Sequence, residues 1–242
     1  MIITTEGIVL KSIKYGETSL ICHVFTRTYG KKSFIIKGVR SSQKSKQKAQ
    51  LFQSGNILHL ELYNKLQGQL SILKEAHASV LFTRLRENMV LACTQMFMIE
   101  VLSQIVVEEY PQEELYDFIH ETMHQMDKEQ LQLTLLPSWF LLMMNKLSGY
   151  HLLNNWSISN SYFNAISAQF ESTQPIVPPY LDAEASQILS QLVACDDIYQ
   201  QNNIQSNGNQ HNILEVLVEY MKIHYPNFKN LQSLSIIRSI LA

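Results

Sequence analysis

The chain has 242 residues, 46% of them apolar and 17% charged, a composition that excludes a disordered polymer and leaves room for one large core or two small ones. Its net charge of −2 conceals a division: residues 1–86 carry fourteen Lys and Arg against four Asp and Glu, a net of +10, while residues 87–242 carry five against seventeen, a net of −12. Such asymmetry is expected of a protein that meets a polyanion through one half only.

Met1–Gly7 has neither a basic nor an apolar leader segment, so no signal peptide is expected. Short β-branched runs come next, punctuated by turn residues: Ile2–Lys14, Thr18–Arg27, Lys31–Val39, Asn56–Tyr63 and Gln69–Ala76. In the second, Leu20, Cys22 and Val24 alternate with Ser19, Ile21, His23 and Phe25; in the fourth, Leu58, Leu60 and Leu62 alternate with Ile57, His59 and Glu61. Five strands in so short a stretch suggest a small antiparallel barrel, with the five-stranded OB-fold or an SH3-like barrel as the options the pattern leaves open. From about Val80 the period becomes helical: Phe82, Leu85, Met89, Ala92, Met96 and Ile99 make one stripe. Pro111 opens a second helix with Glu113 and Glu114 in its first turn, and Leu131–Leu147 reads as a central helix apolar nearly all round. Residues 154–180 read as a long loop ending in prolines. Helix is expected again over Asp182–Tyr199, Ile213–His224 and Leu231–Leu241, with a mobile Asn/Gln-rich loop at 200–212. The apolar runs near 96–107 and 133–147 are interrupted by polar residues, so no membrane span is expected. Cys22, Cys93 and Cys195 are odd in number and far apart, which suits buried small side chains in a reducing cytosol better than disulfides or a ligand set.

The strongest chemical signal is a basic strip. Between Thr18 and Leu60 stand Arg27, Lys31, Lys32, Lys37, Arg40, Lys44, Lys46 and Lys48 and no acid at all, with Lys11 and Lys14 just before. Charge of one sign on a polar loop beside a barrel neutralises phosphates and releases counterions, and the interspersed Ser and Gln add contacts that do not read sequence. These ten bases are the candidate nucleic-acid-binding residues, and Tyr15, Tyr29 and Phe34 are candidates for stacking on exposed bases. A rival signal is His120-Glu121-Thr122-Met123-His124, which satisfies the H-E-x-x-H zinc-hydrolase pattern. On a helix whose apolar stripe is Leu115, Ile119, Thr122 and Met126, both histidines are expected to face solvent. The extended motif would need glycine and histidine where Asp127 and Gln130 stand, leaving His151 as a conceivable third ligand. A surface coincidence is the better reading, and no metal, cofactor or catalytic residue is expected.

Several motifs also occur in register. Glu6-Gly7-Ile8-Val9-Leu10-Lys11, Tyr15-Gly16-Glu17-Thr18-Ser19, Phe25-Thr26-Arg27 with Gly30-Lys31, Lys37-Gly38-Val39-Arg40, and Leu51-Phe52-Gln53-Ser54-Gly55 together resemble the N-terminal domain of the RecO family of bacterial recombination mediators. Leu147-Ser148-Gly149-Tyr150 extends the likeness loosely into the helical half. The resemblance implies an α+β, multi-domain protein: an OB-fold nucleic-acid-binding domain at 1–78 followed by an all-α helical domain at 79–242. It also implies a non-enzymatic role in the bacterial cytoplasm, at the nucleoid: binding single- and double-stranded DNA, annealing complementary strands, and working with RecR so that RecA can replace the single-strand-binding protein, whose acidic C-terminal tail the helical domain receives. Lys37 and Arg40 match that family's basic loop, which Lys44, Lys46 and Lys48 extend. Many members carry a four-cysteine zinc element after the Leu-x-Gly-Tyr segment, but residues 150–180 contain no cysteine, so no zinc is expected here. Lys128, Lys146, Lys222, Lys229 and Arg238 are the only bases beyond residue 86 that could receive such a tail. An RNA-binding OB protein of translation or ribosome assembly is the alternative reading.

Overall fold

The computed structural model describes residues 2–39, 49–63, 72–128 and 131–241. They fall into two compact units, Met1–Lys128 and Glu129–Ala242.

The first unit is built on strands β1 (Ile2–Tyr15), β2 (Ser19–Thr26), β3 (Gly30–Ile36), β4 (Ile57–Tyr63) and β5 (Ile72–Ala78), in the antiparallel order β3-β2-β1-β4-β5. β1 is long enough to serve two partners: Ile2–Ile8 pairs with β4, and Gly7–Tyr15 pairs with β2. Between Val9 and Lys11 the register slips by the extra residue Leu10. A bulge of this kind bends a strand and raises its twist, and here the end strands β3 and β5 come within contact of one another, giving the OB barrel. The alternating residues turn inward as the period-two pattern requires. Leu20, Cys22, Val24, Leu58, Leu60 and Leu62 form one core with Phe34, Ile36 and Phe52. Each large apolar side chain buried there contributes about 1.5–3 kcal/mol before entropy is counted. Burial pushes the Cys22 thiol up to about 11, as suits a packing residue and not a nucleophile.

The unit also holds helices α1 (Arg84–Glu87), α2 (Met89–Ile105) and α3 (Glu113–Lys128). Asn88 caps α2, its side chain accepting from the amides of Val90 at 2.9 Å and Leu91 at 3.1 Å. The Tyr116 ring of α3 packs on Phe25 of β2 with centroids 5.7 Å apart, and Asp127 accepts from the backbone amides of Thr83 and Leu85. The change from strand to helix therefore comes near residue 78, whereas the compact unit runs on to Lys128. The physical reason is Phe25: it is fully buried yet lies outside the barrel's core cluster, so a helix must cover it.

The second unit centres on α4 (Leu136–Leu147), which packs against α5 (Ala183–Val193) and α6 (Gln210–His224), with α7 (Leu234–Ile240) closing the chain. α4 starts later than its apolar run suggests because Pro137, lacking an amide hydrogen, favours the first turn. Every residue from Leu136 to Leu142 is buried, so this helix is surrounded on all sides. Residues 154–180 are not a plain loop. Strands β6 (Tyr162–Asn164) and β7 (Gln169–Glu171) form a hairpin, with the Phe163 and Phe170 rings 5.3 Å apart. Asn155 clasps it, donating to the Phe170 carbonyl at 3.0 Å and accepting from its amide at 2.8 Å. Three-residue strands are too short to show a period, which is why this segment reads as structureless. The stretch expected to be mobile at 200–212 holds a 3-10 turn at Gln200–Asn203, where Gln201 is fully buried and donates to the carbonyl of Gln132 at 2.9 Å.

Candidate nucleic-acid interface

Strand pairing decides which bases can act together, because directly opposed residues share a face. Cys22 opposes Ser12 and Phe34 on the core side of β1, β2 and β3. On the outer side His23 opposes Lys11 and Ser33, Ile21 opposes Ile13 and Ile35, and Ser19 opposes Tyr15. The outer surface is thus a short platform with apolar rungs, open at its end: Ile13 is 43% and Tyr15 52% exposed. His23 Nδ1 and Ser33 Oγ lie 2.7 Å apart across it, and burial, aided by the charge of Lys31, lowers the His23 pKa, so a neutral ring is favoured there. Lys11 is exposed on this face; Lys14, near the end of β1, and Lys37, just past β3, are exposed as well. Among the described residues none of these three lysines has a carboxylate partner.

Three other expected DNA contacts are differently placed. Arg27 donates to Asp117 through Nε at 2.7 Å and Nη2 at 2.9 Å, with Glu113 at 3.4 Å. That fork raises the arginine pKa and holds the Asp117 carboxyl below its ordinary range. Lys31 pairs with Glu108 at 3.8 Å and Lys32 with Glu109 at 3.0 Å. The acids come on a segment that lies along the edge of β3, where the Lys31 amide donates to the Val107 carbonyl and the Glu109 amide to the Lys31 carbonyl. Arg27, Lys31 and Lys32 therefore fasten the barrel to α3 and the segment leading into it, and do not stand free for phosphate. The sequence does hold a signal for this: Glu108, Glu109, Glu113, Glu114 and Asp117 cluster within one short stretch.

The aromatics also separate. Phe34 is 1% exposed in the barrel core, so it cannot stack on a base; an inward position on an alternating strand is the reason. Tyr29 is half-buried, and Tyr15 alone of the three is well exposed. Arg40, Lys44, Lys46 and Lys48 lie outside the described residues. The points where the chain leaves and returns are both fixed to the β1–β2 hairpin. The Val39 amide donates to Thr18, Ser12 Oγ donates to the Phe52 carbonyl at 2.6 Å, and Ser54 Oγ donates to the Leu10 carbonyl at 2.9 Å.

Comparison with known proteins gives this arrangement its context. The family model described as Recombination protein O N terminal matches residues 1–82, and Recombination protein O C terminal matches residues 89–159. The chain belongs to the RecO family of DNA-repair proteins. Over the whole length of both chains it is 27% identical to "DNA repair protein RecO" of Flavobacterium psychrophilum and 28% identical to that of Flavobacterium johnsoniae. A third relative of the same name, from Prosthecochloris aestuarii, is 31% identical over 62% of this chain and 56% of its own.

Within this RecO-family chain the H-E-x-x-H motif is structural. His120 and His124 are half-buried, not solvent-facing: His120 stacks on Tyr116, His124 meets Phe82 edge-on, and their rings are 4.6 Å apart. The buried stripe of α3 also includes Tyr116 and Met123, which turns the helix enough to bring both rings into contact. Burial, then the neighbouring His120, lowers the His124 pKa. Among the described residues no group of three His, Cys, Asp or Glu could hold a metal ion. In the helical unit Lys146, Lys222 and Arg238 are paired with Asp196, Glu219 and Glu215. No helix among the described residues is long and apolar enough to cross a membrane.

Proposed function

We propose that this protein is a recombination mediator without catalytic chemistry, which binds single- and double-stranded DNA, anneals complementary strands, and helps RecA load onto DNA covered by single-strand-binding protein. The observation that carries the reading is the exposed set Lys11, Lys14 and Lys37, which has no carboxylate partner among the described residues and precedes in the chain the stretch holding Arg40, Lys44, Lys46 and Lys48. Two phosphate backbones repel one another until cations displace their counterions, so exposed bases lower the cost of bringing complementary strands together. Tyr15, next to Lys14 in the chain, offers an exposed stacking surface. The acidic helical unit keeps the remainder of the protein from coating DNA and serves as the docking surface for RecR, while its few bases, Lys146, Lys222, Lys229 and Arg238, are the candidates to meet the acidic tail of the single-strand-binding protein. The setting is the bacterial cytoplasm, at the nucleoid.

The test is annealing of complementary oligonucleotides, bare and coated with single-strand-binding protein, followed by RecA filament formation. The protein should accelerate all of these, and a variant with the seven bases replaced by Ala should not. Failure of the unaltered protein to anneal DNA, or a preference for matched RNA strands, would overturn the reading.

A further inference from the structure

A cavity of about 490 Å³ opens in the first unit between the segment that comes after the basic stretch and helices α1 and α2. Its floor is apolar, formed by Phe82 and Leu85, and its rim carries Gln50, Gln53, Asn56 and Arg86. None of the residues that line it is acidic. Arg86 Nη2 reaches the Asn56 side-chain oxygen at 3.3 Å and has no carboxylate partner among the described residues. The side-chain carboxamides of Gln50 and Gln53 bond to no other described side chain or backbone group, whereas the Asn56 side chain donates to the carbonyls of Gln50 and Leu51 and so stiffens the wall.

That wall is pinned from both sides. Gly55, at φ +85°, lies so close to Gln95 that a Cβ would meet its side-chain amide at 2.8 Å, and Gln95 donates back to the Gly55 carbonyl at 3.2 Å. On the other side Ser54 bonds to Leu10 and Ser12 bonds to Phe52, the two β1 residues that flank Lys11. The cavity is thus preformed and tied to the strand that carries one of the exposed lysines.

From this geometry we infer that the cavity receives one unstacked nucleotide of a bound single strand, with the base over the apolar floor, its edge read by Gln50 and Gln53, and its phosphate met by Arg86. The inference rests on the DNA-binding reading above and adds a contact to the base itself. Carboxamides carry a donor and an acceptor side by side, which matches the edge of a nucleobase. A single cation suits a single phosphate, whereas an acidic peptide would call for several. Holding one base out of the stack would leave its neighbours exposed for pairing with an incoming strand.

The experiment compares the full chain binding a short single-stranded oligonucleotide and the same oligonucleotide with abasic sites, across a salt series. The intact oligonucleotide should bind about tenfold or more tightly than the abasic one, as expected when well-placed amide contacts to a base are lost, with equal salt slopes for the two. The surface double variant Gln53→Ala/Arg86→Gln should bind both equally. Equal binding by the unaltered protein, or a difference that survives in the variant, overturns the inference while leaving the phosphate interface standing. Displacement of the oligonucleotide from the cavity variant and the unaltered protein alike by an acidic peptide also counts against it. Loss of binding to both oligonucleotides by the unaltered protein overturns the DNA-binding reading itself.

Discussion

Two triple substitutions distinguish bases that grip DNA from bases that hold the protein together. In the first, Lys11, Lys14 and Lys37 become Ala; all three are exposed and lack carboxylate partners among the described residues. In the second, Arg27, Lys31 and Lys32 become Gln; all three are paired with acids beyond the barrel. For single strands each neutralised phosphate adds about 0.7 to the slope of log affinity against log salt. If all ten basic candidates touched phosphate the slope would be about −7; with the three paired residues set aside it falls to about −5. The first triple should therefore flatten the slope by about 2 and weaken binding about a hundredfold at roughly 0.1 M salt. The second should leave the slope unchanged. The assay is fluorescence anisotropy of a labelled single strand at several salt concentrations, with thermal melts to confirm that both variants are folded. Equal flattening by the two triples would refute this division of the bases, and so would no flattening by the first.

Phe34→Ala should destabilise the protein by about 3–5 kcal/mol, as expected of a fully buried ring, and lower the thermal midpoint without altering the salt slope. Tyr15→Ala should leave the midpoint nearly unchanged and weaken single-strand binding by about 1–3 kcal/mol if the ring stacks on a base; denaturation and binding curves on both variants check the pair. The Arg27–Asp117 bond makes stability depend on pH with a definite sign. Because hydrogen bonding to Arg27 lowers the Asp117 pKa, its contribution is full above the ordinary aspartate value and is lost as pH falls through the lowered one. Asp117→Asn should remove that part of the acid dependence, as read from urea midpoints over a pH series. Alkylation at mildly alkaline pH should modify half-exposed Cys93 first, while Cys22 and Cys195, buried with raised pKa values, should react only after unfolding; peptide mass mapping tracks the order.

Much of the barrel was legible residue by residue. The alternation of Leu20, Cys22 and Val24 and of Leu58, Leu60 and Leu62 is a local property, since successive strand residues face opposite sides whatever they pack against. The stripe of α3 was legible for the same reason at its own period, although Tyr116 and Met123 widen it and draw His120 and His124 inward. Phe34 shows the limit of reading function from neighbourhood. Closeness in sequence to lysines suggested stacking, but the strand's alternation sends it into the core. The hairpin at residues 162–171 escaped because its stability lies in the Asn155 clasp and the Phe163–Phe170 contact, neither of which leaves a periodic trace.

Composition and order along the chain determined the charge divide, the strand and helix periods and the family motifs, because each depends on residues near one another in sequence. Only the tertiary structure decided which positive charges are available. Arg27 meets Asp117 across ninety residues of chain, and Lys32 meets Glu109 across seventy-seven. A charge is free or neutralised according to what the fold brings within a few ångströms, and the Coulomb energy of such a pair falls with distance in space, not with separation along the chain.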